Sequence, residues 1–191
     1  MLIHETALYG VKLIEPKPIP DDRGWYMRVF SSDIHVQAGI DHTKLVQENQ
    51  MRSRRRVVRG LHMRSHLSEA KLIRCSHGEV FDVAVDLRPW SPTFLRWEHF
   101  MLDDQSNHQV YIPAGCAHGL QAISEIADVC YRVDAFYEPA LEAAVSWSDP
   151  ELGIPWPLDD PIISERDRAA PTLEEIKPRL EDWYGTYEPA G

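Results

Sequence analysis

Between Leu45 and Val133 the chain is a succession of short apolar runs separated by turn residues. The runs fall at 45–51, 57–62, 71–76, 79–87, 96–102, 109–112, 119–123 and 129–133. Each has the length and β-branched content of a strand. Ser76-His77-Gly78, Arg88-Pro89 and Ser91-Pro92 supply turns between them. Within Phe81-Asp82-Val83-Ala84-Val85-Asp86, apolar residues alternate with small and acidic ones, the period of a strand. Strands and turns at this interval predict an all-β sandwich or barrel.

The flanking segments are less regular. Ala7 to Ile14 suggests one or two short strands, and Pro16, Pro18 and Pro20 then impose an extended path. Asp21-Asp22-Arg23-Gly24 reads as a turn before a strand at 25–30, and 32–38 as a short helix with a serine cap. The proline-rich stretch 139–171 predicts ordered coil wrapped on a β core. Leu173, Ile176, Leu180 and Trp183 recur at helical spacing, so the main helix is expected over 172–183, within a helical tail at 172–191. No repeat or linker divides the 191 residues, which suits one domain over 1–191.

The formal net charge of −10 argues against general nucleic-acid binding. Arg52, Arg54, Arg55, Arg56 and Arg59 nevertheless cluster. Arg54 to Arg56 suit a solvated hairpin tip, while a local basic cluster on an acidic protein suits a small anionic ligand. Three cysteines, Cys75, Cys116 and Cys130, lack metal-type spacing and are expected as free thiols, largely buried, in a reducing compartment. With neither a leader-like start nor a bilayer-length apolar run, the expected location is the cytoplasm, with no membrane partner.

Two histidines end short apolar runs beside a glycine: His62 in Arg59-Gly60-Leu61-His62 and His118 in Ile112-Pro113-Ala114-Gly115-Cys116-Ala117-His118-Gly119. A proline, a turn glycine and a histidine after a strand are the signal of a cupin-type jelly roll, with the histidine pointing into the barrel mouth. Metal-binding cupins often carry His-x-His. Here the second position is Arg64, and a guanidinium at a ligand position argues against a divalent cation. His66 and His77 look like solvated loop residues. Without a metal, His62 is a candidate general base that needs a carboxylate to orient it. Asp82, Asp86 and Asp167 are all candidates.

A longer set of motifs sharpens this. Asp21-x-Arg23-Gly24, Gln47-x-Asn49, Arg59-Gly60-Leu61-His62, Lys71-Leu72-Ile73-Arg74, the run Gly78 to Arg88, Ser91-Pro92-Thr93-Phe94, Tyr131-Arg132, Trp156-Pro157 and Ser164-x-x-Asp167 occur in order. With them, the chain closely resembles the dTDP-4-dehydrorhamnose 3,5-epimerase family over about 13–171. The resemblance implies an all-β, cupin-type jelly roll with a few short peripheral helices, and a cofactor-free isomerase. The implied substrate is a nucleotide-diphosphate 4-keto-6-deoxyhexose, whose ketone acidifies the protons on C3 and C5. It implies His62 as base with Asp167, Lys71 facing the enolate oxygen, and Tyr131 as the acid on the opposite face. Arg23, Arg59, Gln47 and Asn49 would contact pyrophosphate and sugar, His118 would line the pocket, and Tyr137 would pack near the nucleotide. It also implies a homodimer that exchanges N-terminal strands, to which 1–20 would contribute.

Three positions depart from the family pattern. Arg28 stands where a glutamate contacts thymine. A guanidinium only donates hydrogen bonds, so it cannot accept from thymine N3–H and would suit cytosine or guanine edges. Arg64 replaces a glutamine, and Gln50-Met51 replaces the usual pair after Asn49. The resemblance therefore leaves open a CDP- or GDP-linked substrate and inversion at C3 or C5 alone. A non-catalytic sugar-nucleotide-binding cupin and a metal-dependent cupin oxygenase are the readings from other classes.

Overall fold

The computed structural model describes residues 1–37 and 39–185; Ala38, at the end of the expected first helix, and 186–191, at the end of the expected tail, lie outside the described residues. The strands are β1 (Leu2–Glu5), β2 (Lys12–Glu15), β3 (Ile19–Asp21), β4 (Gly24–Tyr26), β5 (Gln47–Arg54), β6 (Val58–Arg64), β7 (Lys71–His77), β8 (Glu79–Asp86), β9 (Trp97–Asp103), β10 (Gln109–Ile112), β11 (Cys116–Ala122), β12 (Ile126–Val133) and β13 (Glu142–Ala144). The helices are α1 (Ser32–Gln37), α2 (Glu165–Arg168) and α3 (Leu173–Tyr184). A six-stranded sheet runs β1-β2-β10-β7-β12-β5 and a five-stranded sheet runs β13-β6-β11-β8-β9. All strand pairs in both are antiparallel. The sheets pack as a cupin-type jelly roll.

The period-two pattern explains the two layers of core. Val80 and Ala84 of β8 pack between the sheets with Ile73 and Cys75 of β7, Val110 and Ile112 of β10, and Val129 of β12. Phe81, Val83 and Val85 point the other way and pack against Leu173, Ile176, Leu180 and Tyr184. β8 is thus buried on both faces, and α3 covers the back of the five-stranded sheet. Thr172 and Glu175 form a capping box at the start of α3, which begins where the sequence predicts.

Some expectations change. The strand at 25–30 is only β4, because its partner β3 ends after three residues; downstream, the Val29 carbonyl accepts instead from the Gln109 side chain at 2.7 Å. β11 starts at Cys116, so His118 lies within a strand and the turn is made at Gly115, with φ +85°. The stretch 139–171 contains β13 and α2. The three thiols are free and buried, and burial pushes Cys75 and Cys116 up to about 12. Arg56, at φ +72°, turns the chain between β5 and β6, the expected hairpin tip.

Asp86, conspicuous in the alternating run, is fully buried. It accepts from Arg88 Nε at 2.7 Å, Arg88 Nη2 at 2.8 Å and Thr93 Oγ1 at 2.6 Å, and from Ser91. Arg88 in turn reaches the Tyr9 carbonyl at 2.5 Å. Asp86 therefore pins a loop and the N-terminal segment.

Candidate active site

Arg59 and His62 are three residues apart, and on a regular strand such residues face opposite ways. Here both line one pocket between the sheets. The cause is a bulge. His62 lies opposite His118, and Arg59 opposite Leu120, so Gly60 and Leu61 together face the single residue Gly119. The extra residue returns Arg59 to the His62 side. Glycine is required on both strands. A Cβ on Gly60, at φ +110°, would meet the His118 carbonyl oxygen at 2.6 Å; one on Gly119 would meet the Arg59 carbonyl at 2.8 Å.

The partner of His62 arrives from the C-terminal third. Val57 bridges Ile162 in parallel, with Val58 N–H donating to the Ile162 carbonyl at 3.0 Å and Ile162 N–H to the Arg56 carbonyl at 3.0 Å. This lays 162–168 beside β6. Ser164 accepts from Asp167 N–H at 3.0 Å, and Asp167 Oδ1 sits 2.6 Å from His62 Nε2. The bulge N–H of Gly60 points at Asp167 Oδ2, 3.4 Å away. Burial pushes the Asp167 carboxyl up. The His62 hydrogen bond and charge, with the Gly60 N–H and Ser164, outweigh it and hold the group below the usual carboxylate range. The His62 side chain is 40% exposed and Asp167 only 5%, so the imidazole faces the pocket and the carboxylate lies behind.

Of the three carboxylates open to His62, the fold chooses Asp167. Asp82, fully buried, pairs with His118 instead, at 2.7 Å, and Asp86 belongs to Arg88. His62 and His118, on the neighbouring strands β6 and β11, both line the pocket, each backed by a buried carboxylate. Among the described residues no three His, Cys, Asp or Glu side chains converge as a metal site would need. Arg64, two positions after His62, is buried and donates to Glu69 Oε1 at 2.9 Å and the Glu138 carbonyl at 2.8 Å.

The opposite wall comes from the six-stranded sheet. Tyr131 on β12 and Lys71 at the start of β7 line the pocket, with Met51 of β5. Burial, reinforced by the charges of Glu69 and Glu142, raises the Tyr131 phenol above its ordinary value against the pull of Arg59. Lys71 Nζ donates to Glu69 Oε2 at 2.9 Å. Gln47 and Asn49 are joined by a 2.9 Å hydrogen bond and stand at i−4 and i−2 from Met51, the same face of β5, with Asn49 opposite Tyr131. Arg59 is steadied by Ser53 Oγ at 3.0 Å.

Gln47 and Asn49 stand beside the pocket without lining it, and the remaining expected contacts do not reach it within one chain. Arg23 stands at the tip of the β3–β4 hairpin with its side chain 89% exposed, pairing with Asp21 at 2.5 Å. Arg28 lines a separate groove with Lys17, Ile19 and Tyr26, and Tyr137 is 61% exposed in the loop after β12. Conversely, Glu69, Glu142 and Arg166 line the pocket, and no sequence reading singled them out. Arg166 adjoins Asp167 and pairs with Glu142, a contact the Ser164-x-x-Asp167 motif foreshadows only by proximity.

A histidine hydrogen-bonded to a carboxylate, an ammonium and a phenol thus surround one pocket of a cupin-type jelly roll, a set of groups able to move protons, and similarity to known proteins places the chain among isomerases. The family model for dTDP-4-dehydrorhamnose 3,5-epimerase matches residues 5–175, and the chain belongs to that family. It is 41% identical over 174 residues to the dTDP-4-dehydrorhamnose 3,5-epimerase of Methanothermobacter thermautotrophicus, covering 90% of this chain and 94% of that one. It is 40% identical to a dTDP-4-dehydrorhamnose 3-epimerase of Streptomyces niveus, covering 93% and 86%. Among solved structures it resembles the dTDP-6-deoxy-D-glucose-3,5-epimerase of Legionella pneumophila in complex with dTDP-4-keto-L-rhamnose, with TM-score 0.88 and 39% identity, covering 94% and 96%.

Proposed function

We propose that the chain inverts C3 and C5 of a dTDP-linked 4-keto-6-deoxyhexose by proton transfer through its own side chains. The observation that carries this reading is the placement of His62 and Tyr131 on opposite sheets across one pocket. Inversion requires a proton to leave one face of the ring and return to the other, and a base and an acid on facing walls meet that requirement. The C4 ketone makes the neighbouring C–H bonds acidic. His62 takes the proton, and Asp167 holds the ring and balances the imidazolium. The negative charge passes to O4, where the Lys71 ammonium stabilises it. The Tyr131 phenol, kept protonated by its surroundings, delivers a proton from the far side. Arg59 at the pocket mouth suits the diphosphate, with Gln47 and Asn49 toward the sugar and His118 on the floor.

The nucleotide follows the three relatives described above, each named for a dTDP sugar. Arg28 lies outside this chain's own pocket, in a groove with Lys17, Ile19 and Tyr26, so any contact it makes with a nucleotide would be with one bound to a second copy. A homodimer belongs to the same reading. Ile19, Trp25 and Tyr26 on the β3–β4 hairpin are 61%, 56% and 65% exposed, an apolar surface that a second copy would cover, and Arg23 rides on its tip. A second reading, inversion at C3 alone, is favoured by the similarity to the 3-epimerase.

Proton NMR of dTDP-4-keto-6-deoxyglucose incubated with the protein in D₂O tests the function. Exchange and inversion at both C3 and C5 are expected. Inversion at C3 alone selects the second reading, and absence of exchange overturns both. Light scattering at micromolar concentration tests the dimer, and a monomer would overturn that part.

A further inference from the structure

Beside the proton-transfer residues the pocket wall carries a chain of charges. Arg64, on the same strand as His62, is 4% exposed. It donates from Nη2 to Glu69 Oε1 at 2.9 Å and from Nη1 to the Glu138 carbonyl at 2.8 Å. The other oxygen of Glu69 accepts from Lys71 Nζ at 2.9 Å. Glu69 holds a backbone φ of +69°, a region that residues with a side chain rarely adopt, two residues before β7 begins at Lys71. Such strain persists where the surroundings over-determine it.

We propose that Glu69 is a positioning residue for the reaction: clamped by buried Arg64, its carboxylate fixes the Lys71 ammonium at the pocket wall. The inference rests on the proposed function, in which that ammonium faces the enolate oxygen. Lysine carries its charge on a flexible four-carbon stem, so an unanchored ammonium samples many places. One of its three N–H donors is spent on Glu69, and the others stay available to an oxygen in the pocket. Arg64 completes the device. It gives the carboxylate a second, immobile partner, so Glu69 holds Lys71 without itself swinging. Burial raises the Glu69 carboxyl, but Arg64 and Lys71 overcome this and hold it below the usual range, so the clamp is charged at neutral pH. The charges also require one another, since a buried guanidinium stripped of its carboxylate is left uncompensated.

The test compares Glu69→Gln and the double variant Arg64→Gln/Glu69→Gln with the wild type in the D₂O exchange assay. Removing both charges together spares the fold the unpaired arginine, so the double variant guards against simple unfolding. Both variants are expected to lose about 10²-fold in kcat, the usual effect of a slightly misplaced group, with KM little changed, because the interaction is used in the transition state. Wild-type kcat in the folded double variant overturns the inference, as does a loss confined to KM. Nitrogen-15 NMR of the lysine ammonium groups separates this from the function itself. A Lys71 signal protected from solvent exchange in the wild type and lost in Glu69→Gln supports the clamp even if no substrate turns over. An equally protected signal in both proteins overturns it.

Discussion

His62 Nε2 and Asp167 Oδ1 lie 2.6 Å apart although 105 residues separate them in the chain. The contact fixes the orientation of the His62 ring, as the base proposed above requires. Asp167→Asn keeps the shape of the partner but not its charge. The expected result is a loss of about 10²–10⁴-fold in exchange rate, with a modest fall in the thermal midpoint as the charged hydrogen bond to His62 is lost. His62→Ala is expected to lose at least as much, and circular dichroism checks that both variants remain folded.

Tyr131→Phe separates removal of a proton from its return. The base is intact, so deuterium is still expected to enter from the His62 side, while inversion falls sharply. NMR distinguishes retained from inverted deuterated sugar, and unchanged inversion would place the acid elsewhere. Because burial raises the Tyr131 phenol, the basic limb it causes in the wild-type pH profile is expected above about pH 10, the free tyrosine value.

Acid sensitivity is expected to arise at Asp86 and Asp167. Burial raises both carboxyls, but Arg88, Ser91 and Thr93 lower Asp86 more, as His62 lowers Asp167. Their folded-state values lie below the unfolded ones. Each thus contributes stability that is fully present above about pH 4 and is lost as pH falls through the folded-state value. Asp86→Asn leaves buried Arg88 uncompensated and is expected to cost about 3–5 kcal/mol at pH 7. The gap from wild type should narrow at pH 3. Urea unfolding at the two pH values measures both quantities.

The bulge predicts a contrast between two glycines. Gly60→Ala places a Cβ 2.6 Å from the His118 carbonyl oxygen at φ +110°, so the backbone must shift. The expected cost is about 1–3 kcal/mol for strain alone, with lost activity as Arg59 and His62 leave the same face. Gly24→Ala, at φ +133° with nothing within 4 Å of its Cβ, carries strain without collision and is expected to cost less. Thermal unfolding and the exchange assay report on both.

What the sequence determined by itself is local in origin. Strands between Leu45 and Val133 were legible because alternation and turn residues act over a few positions, and α3 because its cap and apolar spacing lie within one helix. The resemblance pointed to the site residues, yet residue spacing alone left three carboxylates open for His62. Tertiary structure decided among them. A bulge set by two facing glycines puts Arg59 and His62 on one face. A parallel bridge at Val57 and Ile162 delivers Asp167, while Asp82 goes to His118. In sequence Arg64 reads only as a cation at a metal-ligand position that argues against a metal; in the fold it is half of an ion pair with Glu69. These outcomes depend on which distant backbone passes within hydrogen-bonding reach, and no local pattern encodes that distance.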